Sequence, residues 1–200
     1  VNDEGWWFNP RRVFMGIPER LKLQPVSKQL LAEMSDLCDA IERALESGET
    51  AEALLERWHA HARRRCEPYE FKYYWKAISR ETFVRTALNP EPSLDKNAVY
   101  LEAFAVLEAV SSATIRESEI KYYLGWLDAQ FPDARVDDLI YWPDEWFGNA
   151  SLFRDANGAF KPESELSYDQ ILAYAMAKSG RELPGAPQHV VLPFPLPGAK

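Results

Sequence analysis

Residues 27–48 read SKQLLAEMSDLCDAIERALESG, and the fold class turns on this stretch. Leu30, Leu31, Met34, Leu37, Cys38, Ile41 and Leu45 recur at steps of three and four, the period of one helical face. Ser27 offers a side-chain acceptor to the first turn, and Gly48 tolerates the left-handed conformation that ends helices. The spacing predicts an amphipathic helix with both ends marked. Only Ser47-Gly48-Glu49-Thr50 separates it from a second pattern, capped by Thr50, that turns Leu54, Leu55, Trp58, Ala62 and Cys66 inward. So short a connection predicts an antiparallel helical hairpin.

The same period continues along the chain. After Pro68, residues Phe71, Tyr74, Trp75 and Ile78 fit a third helix, which continues or restarts at Ser79 to bury Phe83, Val84, Ala87 and Leu88. Asn89-Pro90-Glu91-Pro92 stops it. From Lys96 to Ser111 the chain is apolar on nearly every side, the pattern of a helix surrounded by others and so the candidate central element. Thr114 with Glu117 reads as a capping box ahead of Ile120, Tyr123, Leu124, Leu127 and Phe131, and Pro132 closes that helix. Ser167 with Gln170 repeats the signal before Ile171, Leu172, Ala175 and Met176, with Gly180 as the stop. Asp133 to Leu166 is irregular, with one helical turn expected after Pro143 and a tight turn at Asn157-Gly158. Residues 181–200 hold five of the 14 prolines and include an extended apolar run expected to pack back on the fold. The reading is all-α: one helical domain over residues 1–200, a bundle of about six helices. It carries an aromatic arm at 1–20, a long irregular acidic-aromatic loop region and a Pro-rich tail at 181–200.

Composition bounds the function. A chain of 200 residues with 46% apolar and 13% aromatic content can build a core without disulfides, since it buries roughly two thirds of its unfolded surface. Its apolar runs fall short of the ~18 residues that cross a bilayer. A net charge of −8 argues against nonspecific binding to nucleic acid or anionic membrane and favours a basic protein partner. Residues up to Pro92 hold 14 basic and 15 acidic side chains, against 9 and 16 afterwards, so the excess lies in the second part. Its densest piece has Asp128, Asp133, Asp137, Asp138, Asp144 and Glu145 against Arg135 alone. Cys38 and Cys66 belong to no C-x-x-C pair or zinc spacing and read as buried free thiols. Val1 to Pro10 is acidic and aromatic rather than leader-like, which makes the cytoplasm the expected compartment.

Constellations that could carry chemistry are sparse. Glu56 and His59 have the Glu-x-x-His spacing of di-iron bundles, but such a site needs two of these motifs, and His61 and His189 cannot complete it. Arg63-Arg64-Arg65 is explained by the negative end of the second helix, with a phosphate or RNA site as the functional alternative. Hydrolase elbows, zincin motifs and phosphate-binding glycine loops are lacking, and Cys66 has only His59 and His61 nearby as bases, on diverging faces. Glu102 and Glu108 interrupt the most apolar helix, either as a buried acid pair or, in the better reading, facing outward or paired with a base such as Lys121 or Arg116. No metal or cofactor is expected.

The most informative segment is Asp137-Asp138-Leu139-Ile140-Tyr141-Trp142-Pro143-Asp144-Glu145-Trp146-Phe147. Four carboxylates alternating with four rings suit a protein interface, the rings supplying desolvated contact area and the carboxylates aligning a basic partner. The plainer reading makes Pro143, Asp144 and Glu145 an ordinary helix start and the rings core. We assign partner binding to Asp137, Asp138, Tyr141, Trp142, Asp144, Glu145 and Trp146. In general character, acidic, largely helical and without catalytic motifs, the chain is similar to immunity proteins of bacterial toxin systems. That resemblance rests on no motif and assigns no residue a role. It implies a noncatalytic inhibitor that binds a basic toxin or nuclease domain one to one and occludes its site. The competing class is a helical enzyme or small-ligand-binding protein whose site is assembled from dispersed residues such as His59, Trp75 and Glu102.

Overall fold

A computed structural model describes residues 16–198, and the Gly5-Trp6-Trp7-Phe8 arm lies outside them. Among the described residues there are ten α-helices and no strand, with a single isolated backbone bridge between Arg154 and Phe160. The class is all-α. Six helices have nine or more residues, and four shorter ones fill stretches that lack a full apolar period.

Helix α1 (Lys28–Ser47) has the expected ends: Ser27 Oγ accepts the Leu30 amide at 3.1 Å, and Gly48 is left-handed with φ of 76°. It buries Met34, Leu37, Cys38, Ile41 and Ala44. Helix α2 (Glu52–His61) turns back along it and ends earlier than its pattern suggests, because Ala62 is extended and Cys66 reaches the core from the following loop. The third segment breaks in two. Helix α3 (Pro68–Tyr73) tightens into a 3-10 turn at Tyr74–Lys76, and α4 (Arg80–Leu88) restarts on Ser79, whose Oγ accepts the Thr82 amide at 3.1 Å. The break turns Trp75 out into solvent, where its indole N–H donates to the Lys72 carbonyl at 2.8 Å. Trp58, Phe71, Phe83 and Tyr74 form the aromatic centre of this first core, with Trp58 stacked on Phe83 and Phe83 on Tyr74.

The second core gathers round α5 (Tyr100–Ser111), in which every residue from Ala103 to Val110 is buried. It begins later than Lys96 because Asp95 folds the preceding loop, its Oδ1 accepting the Asn97 amide at 2.9 Å. Helix α6 (Glu117–Gln130) also starts later than the Thr114 signal: the box closes two residues on, with Glu119 Oε2 accepting the Arg116 amide at 3.2 Å. Asp133–Leu166 carries three short helices rather than one turn: α7 (Val136–Tyr141), α8 (Pro143–Trp146) and α9 (Ala150–Phe153). At Asn157-Gly158 the chain reverses, with Gly158 at φ of 80° and Asp155 Oδ1 accepting the Asn157 and Ala159 amides. In α10 (Tyr168–Ser179) the box is reciprocal: Ser167 Oγ accepts the Gln170 amide and Gln170 Oε1 the Ser167 amide. The tail then runs back over this core, with Leu183 buried and Phe194 packed against Phe147 and Phe153.

The two cores meet where α4 packs on α6. Thr82 donates to Glu117 at 3.0 Å across that seam, and the Asn89 amide group donates to the Ser118 carbonyl at 2.7 Å. Ahead of α1, Arg20 pairs with Asp95 and, through a short double contact, with Glu102 of α5.

Candidate functional site

The acidic-aromatic segment becomes a bent helical corner, and Pro143 makes the bend. Its ring has no N–H to give and clashes with the carbonyl four residues back, so α7 must stop and α8 start afresh. Trp142 is the joint. Its N–H donates to Asp138 O at 2.7 Å as the last bond of α7, and its carbonyl accepts the Glu145 and Trp146 amides at 3.0 Å as the first of α8. With its backbone used at both ends, the residue presents its ring outward, 53% exposed, beside Tyr141 at 47%. Asp128, at the end of α6, stiffens the start of α7 by accepting the Val136 amide on Oδ1 at 2.7 Å. Its partial burial pushes its carboxyl pKa upward.

The segment's side chains divide by task. Trp146 faces inward, donating its indole N–H to the Ala134 carbonyl and meeting Phe147 and Tyr174 edge to face. Asp144 Oδ2 pairs with Arg154 at 2.5 Å, and the guanidinium holds its carboxyl below the usual carboxylate range. This bridge fastens the start of α8 to the chain before the Asn157-Gly158 turn. Asp138 pairs with Arg135, one turn earlier. Asp137 and Glu145 have no cationic side chain within 4.0 Å among the described residues. Of the seven assigned residues, Tyr141, Trp142 and Glu145 are exposed, Asp137 is half-buried and accepts the Asp138 amide on Oδ1 at 2.8 Å without a cationic partner, and Asp138, Asp144 and Trp146 have internal side-chain partners. Burial, and then the Asp137 charge, raise the Tyr141 phenol pKa, so the ring stays neutral at ordinary pH.

Phe160 belongs to the same surface, and sequence reasoning missed it. The turn at Asn157-Gly158 folds it back beside Arg154, leaving it 43% exposed, and it shares a hollow of about 260 Å³ with Tyr141 and Ile140. The Asn-Gly pair marked the turn but not what it would lie against.

The other constellations are occupied by structural work. His59 Nε2 accepts the Cys66 amide at 3.1 Å and so anchors the loop after α2, while Glu56 is exposed. Both thiols are buried with raised pKa values, by desolvation first and, for Cys38, also by its hydrogen bond to Glu42. Glu102 is lowered by Arg20, a partner 82 positions away, and it does not form an acid pair with Glu108. Arg64 pairs with Glu70 at 2.8 Å and lies over the Phe83 ring, whereas Arg63 and Arg65 are exposed. Residues 63–80 contain six basic side chains against two acidic, a local reversal of the overall charge. Tyr69, Tyr73 and Trp75 on this segment are 64%, 52% and 64% exposed, and Lys76 lies over the last two rings. No group of three or more metal-ligating side chains is found among the described residues, and none of their helices is long and apolar enough to cross a membrane.

Neither a protein-family model, nor a curated protein, nor a solved structure matches the chain.

Proposed function

We propose that the protein is a noncatalytic binding protein that engages a basic protein partner through the α7–α8 corner. In its sharpest form it is an inhibitor or immunity protein that covers the working surface of a basic toxin or nuclease domain. The observation that carries this reading is the pair of rings at Tyr141 and Trp142, about half exposed on a joint whose backbone is fully bonded. Rings held in this way lose little conformational freedom on binding, which is what makes aromatic anchors effective. Carboxylates without a cationic partner at Asp137 and Glu145 flank them and supply orientation toward cationic groups. The hollow between Tyr141 and Phe160 is of a size to receive one partner side chain. Asp138, Asp144 and Trp146 support the surface from behind rather than meeting the partner.

The test is affinity capture from the source cell with the native chain and with a variant carrying Tyr141→Ala, Trp142→Ala, Asp137→Asn and Glu145→Gln. One basic protein retained by the native chain and lost by the variant supports both role and surface. Retention by both moves the surface elsewhere. Capture of no partner from cells that express one removes support for the binding role.

A further inference from the structure

A hollow separate from the α7–α8 corner lies where α3 and α4 of the first core face α6 of the second. It has a volume of about 480 Å³, within the range of roughly 300–1,000 Å³ typical of small-molecule sites. Its floor is the Phe83 ring, fixed between Tyr74 and Trp58, and its far wall is Ile120 and Leu124. Tyr69 and Tyr73 stand at the mouth, more than half exposed, with apolar faces that an occupant would cover.

Charge decides what kind of occupant fits. Two carboxylates line the cleft, and both are engaged. Glu70 accepts from Arg64 at 2.8 Å and from the Glu67 amide at 2.8 Å. Glu117 stands four residues before Lys121, the spacing of a helical ion pair, yet its Oε2 reaches across the seam to accept from Thr82 at 3.0 Å. Lys121 is left with no anionic partner within 4.0 Å among the described residues, at the edge of an apolar cleft. Arg64 also lines the cleft with its charge paired to Glu70, and its buried Nε finds no acceptor among the described residues, so Lys121 is the cation of the lining without an anionic partner.

We propose that this cleft binds a small amphiphilic anion, with its apolar body on Phe83, Ile120 and Leu124 between the two tyrosines and its carboxylate or sulfonate head on the Lys121 ammonium. The site is independent of the α7–α8 corner.

The test uses the full chain and two probes, anilinonaphthalene sulfonate by fluorescence and decanoate by displacement, with decanol and decylamine as neutral and cationic counterparts. One saturable site is expected, in which decanoate competes at least about ten-fold better than decylamine, as loss of a charge-assisted contact implies. Lys121→Glu should weaken both anions by about ten-fold or more while Lys121→Arg retains them. Ala77→Trp, at an exposed position on the rim, should block anions and decanol alike without lowering the thermal midpoint. Trp142→Ala, on the other surface, should leave binding unchanged, so failure here is distinguishable from failure of the protein-binding reading. The proposal is overturned by nonsaturable binding, by equal affinity for all three head groups, or by loss of binding in Trp142→Ala with retention in Ala77→Trp. A change of oligomeric state in Ala77→Trp would likewise overturn it, by making this face a contact between copies of the chain.

Discussion

Tyr174→Phe removes one oxygen atom and tests how the C-terminal tail supports the binding surface. The Tyr174 hydroxyl donates to the Phe194 carbonyl at 2.6 Å and accepts the Phe194 amide at 2.9 Å, a two-point clamp on one residue of the tail. Phe194 in turn touches Phe147 and Phe153, and the Tyr174 ring touches Trp146 and Phe147, the platform beneath α8. The substitution keeps every ring contact and leaves two backbone groups without their partner. Two such bonds are worth about 1–3 kcal/mol together. For a chain of this length the thermal midpoint moves about 2–4 °C per kcal/mol, so a fall of about 2–12 °C is expected. Far-ultraviolet circular dichroism reads the midpoint, and hydrogen exchange at the Phe194 amide reads the clamp itself. Faster exchange at Phe194 with α1 unaffected is the expected pattern. A midpoint within about 1 °C of the native value together with unchanged exchange would refute the clamp.

Three further outcomes follow from the geometry. Trp146→Ala should cost about 2–4 kcal/mol in urea denaturation, through loss of a half-buried ring that packs on the core and bonds to Ala134, whereas Trp142→Ala should cost about 1 kcal/mol, because half the ring is already in water. Similar costs for the two would remove the division between platform and surface. Gly125→Ala should destabilise despite the roughly 1 kcal/mol that alanine gains in a helix, since a Cβ there would stand 2.8 Å from Pro92 Cγ; a raised midpoint would show that the Pro92 loop yields. Stability should fall on both sides of neutrality. Asp95, Glu102 and Asp144 have folded pKa values below their unfolded ones, so their contribution is present above about pH 4 and is lost as pH falls through the folded values. Asp128, raised by burial, runs the other way and offsets part of that loss. Tyr122, Tyr123, Tyr141 and Tyr174 are raised, Tyr123 to about 12, so their contribution is present below about pH 10 and is lost as pH climbs through the folded values. A midpoint that is flat from pH 3 to pH 11 would contradict this, the window being set by about those pKa values.

What was legible in the sequence were features whose cause is local. α1 and α10 begin and end where Ser27, Gly48, Ser167 and Gly180 stand, because a cap and a left-handed stop act within one turn. Less legible was α3, whose apolar period runs on through Trp75 although the backbone tightens there and turns that ring out. The site was half legible. Composition located the rings and acids, and Pro143 located the bend. That Asp144 belongs to Arg154, ten positions on, and Glu102 to Arg20, 82 positions back, depends on how distant segments meet, and no local spacing carries that information. Charge counting for this reason overstated the acidic surface: six carboxylates lie in 128–145, and two of them are neutralised by arginines while a third caps a helix.

Pairing trims the cations of residues 63–80 as well: Arg64 meets Glu70, Arg65 meets Glu67, and Arg80 meets Asp39 and Glu42. That leaves Arg63, Lys72 and Lys76 without an acidic partner within 4.0 Å among the described residues and gives the molecule a modest electrical asymmetry. That cationic stretch belongs to one core and the anionic stretch 128–145 to the other, so a pI near 5.0 describes no face of the protein in particular. In dilute salt, where screening lengths reach ~30 Å, such a body turns in the field of whatever it approaches before it touches it. It should accordingly be retarded on negatively charged chromatographic media just above its isoelectric point, held by Arg63, Lys72 and Lys76. At about 0.15 M salt, with a screening length of ~8 Å, that retention should vanish.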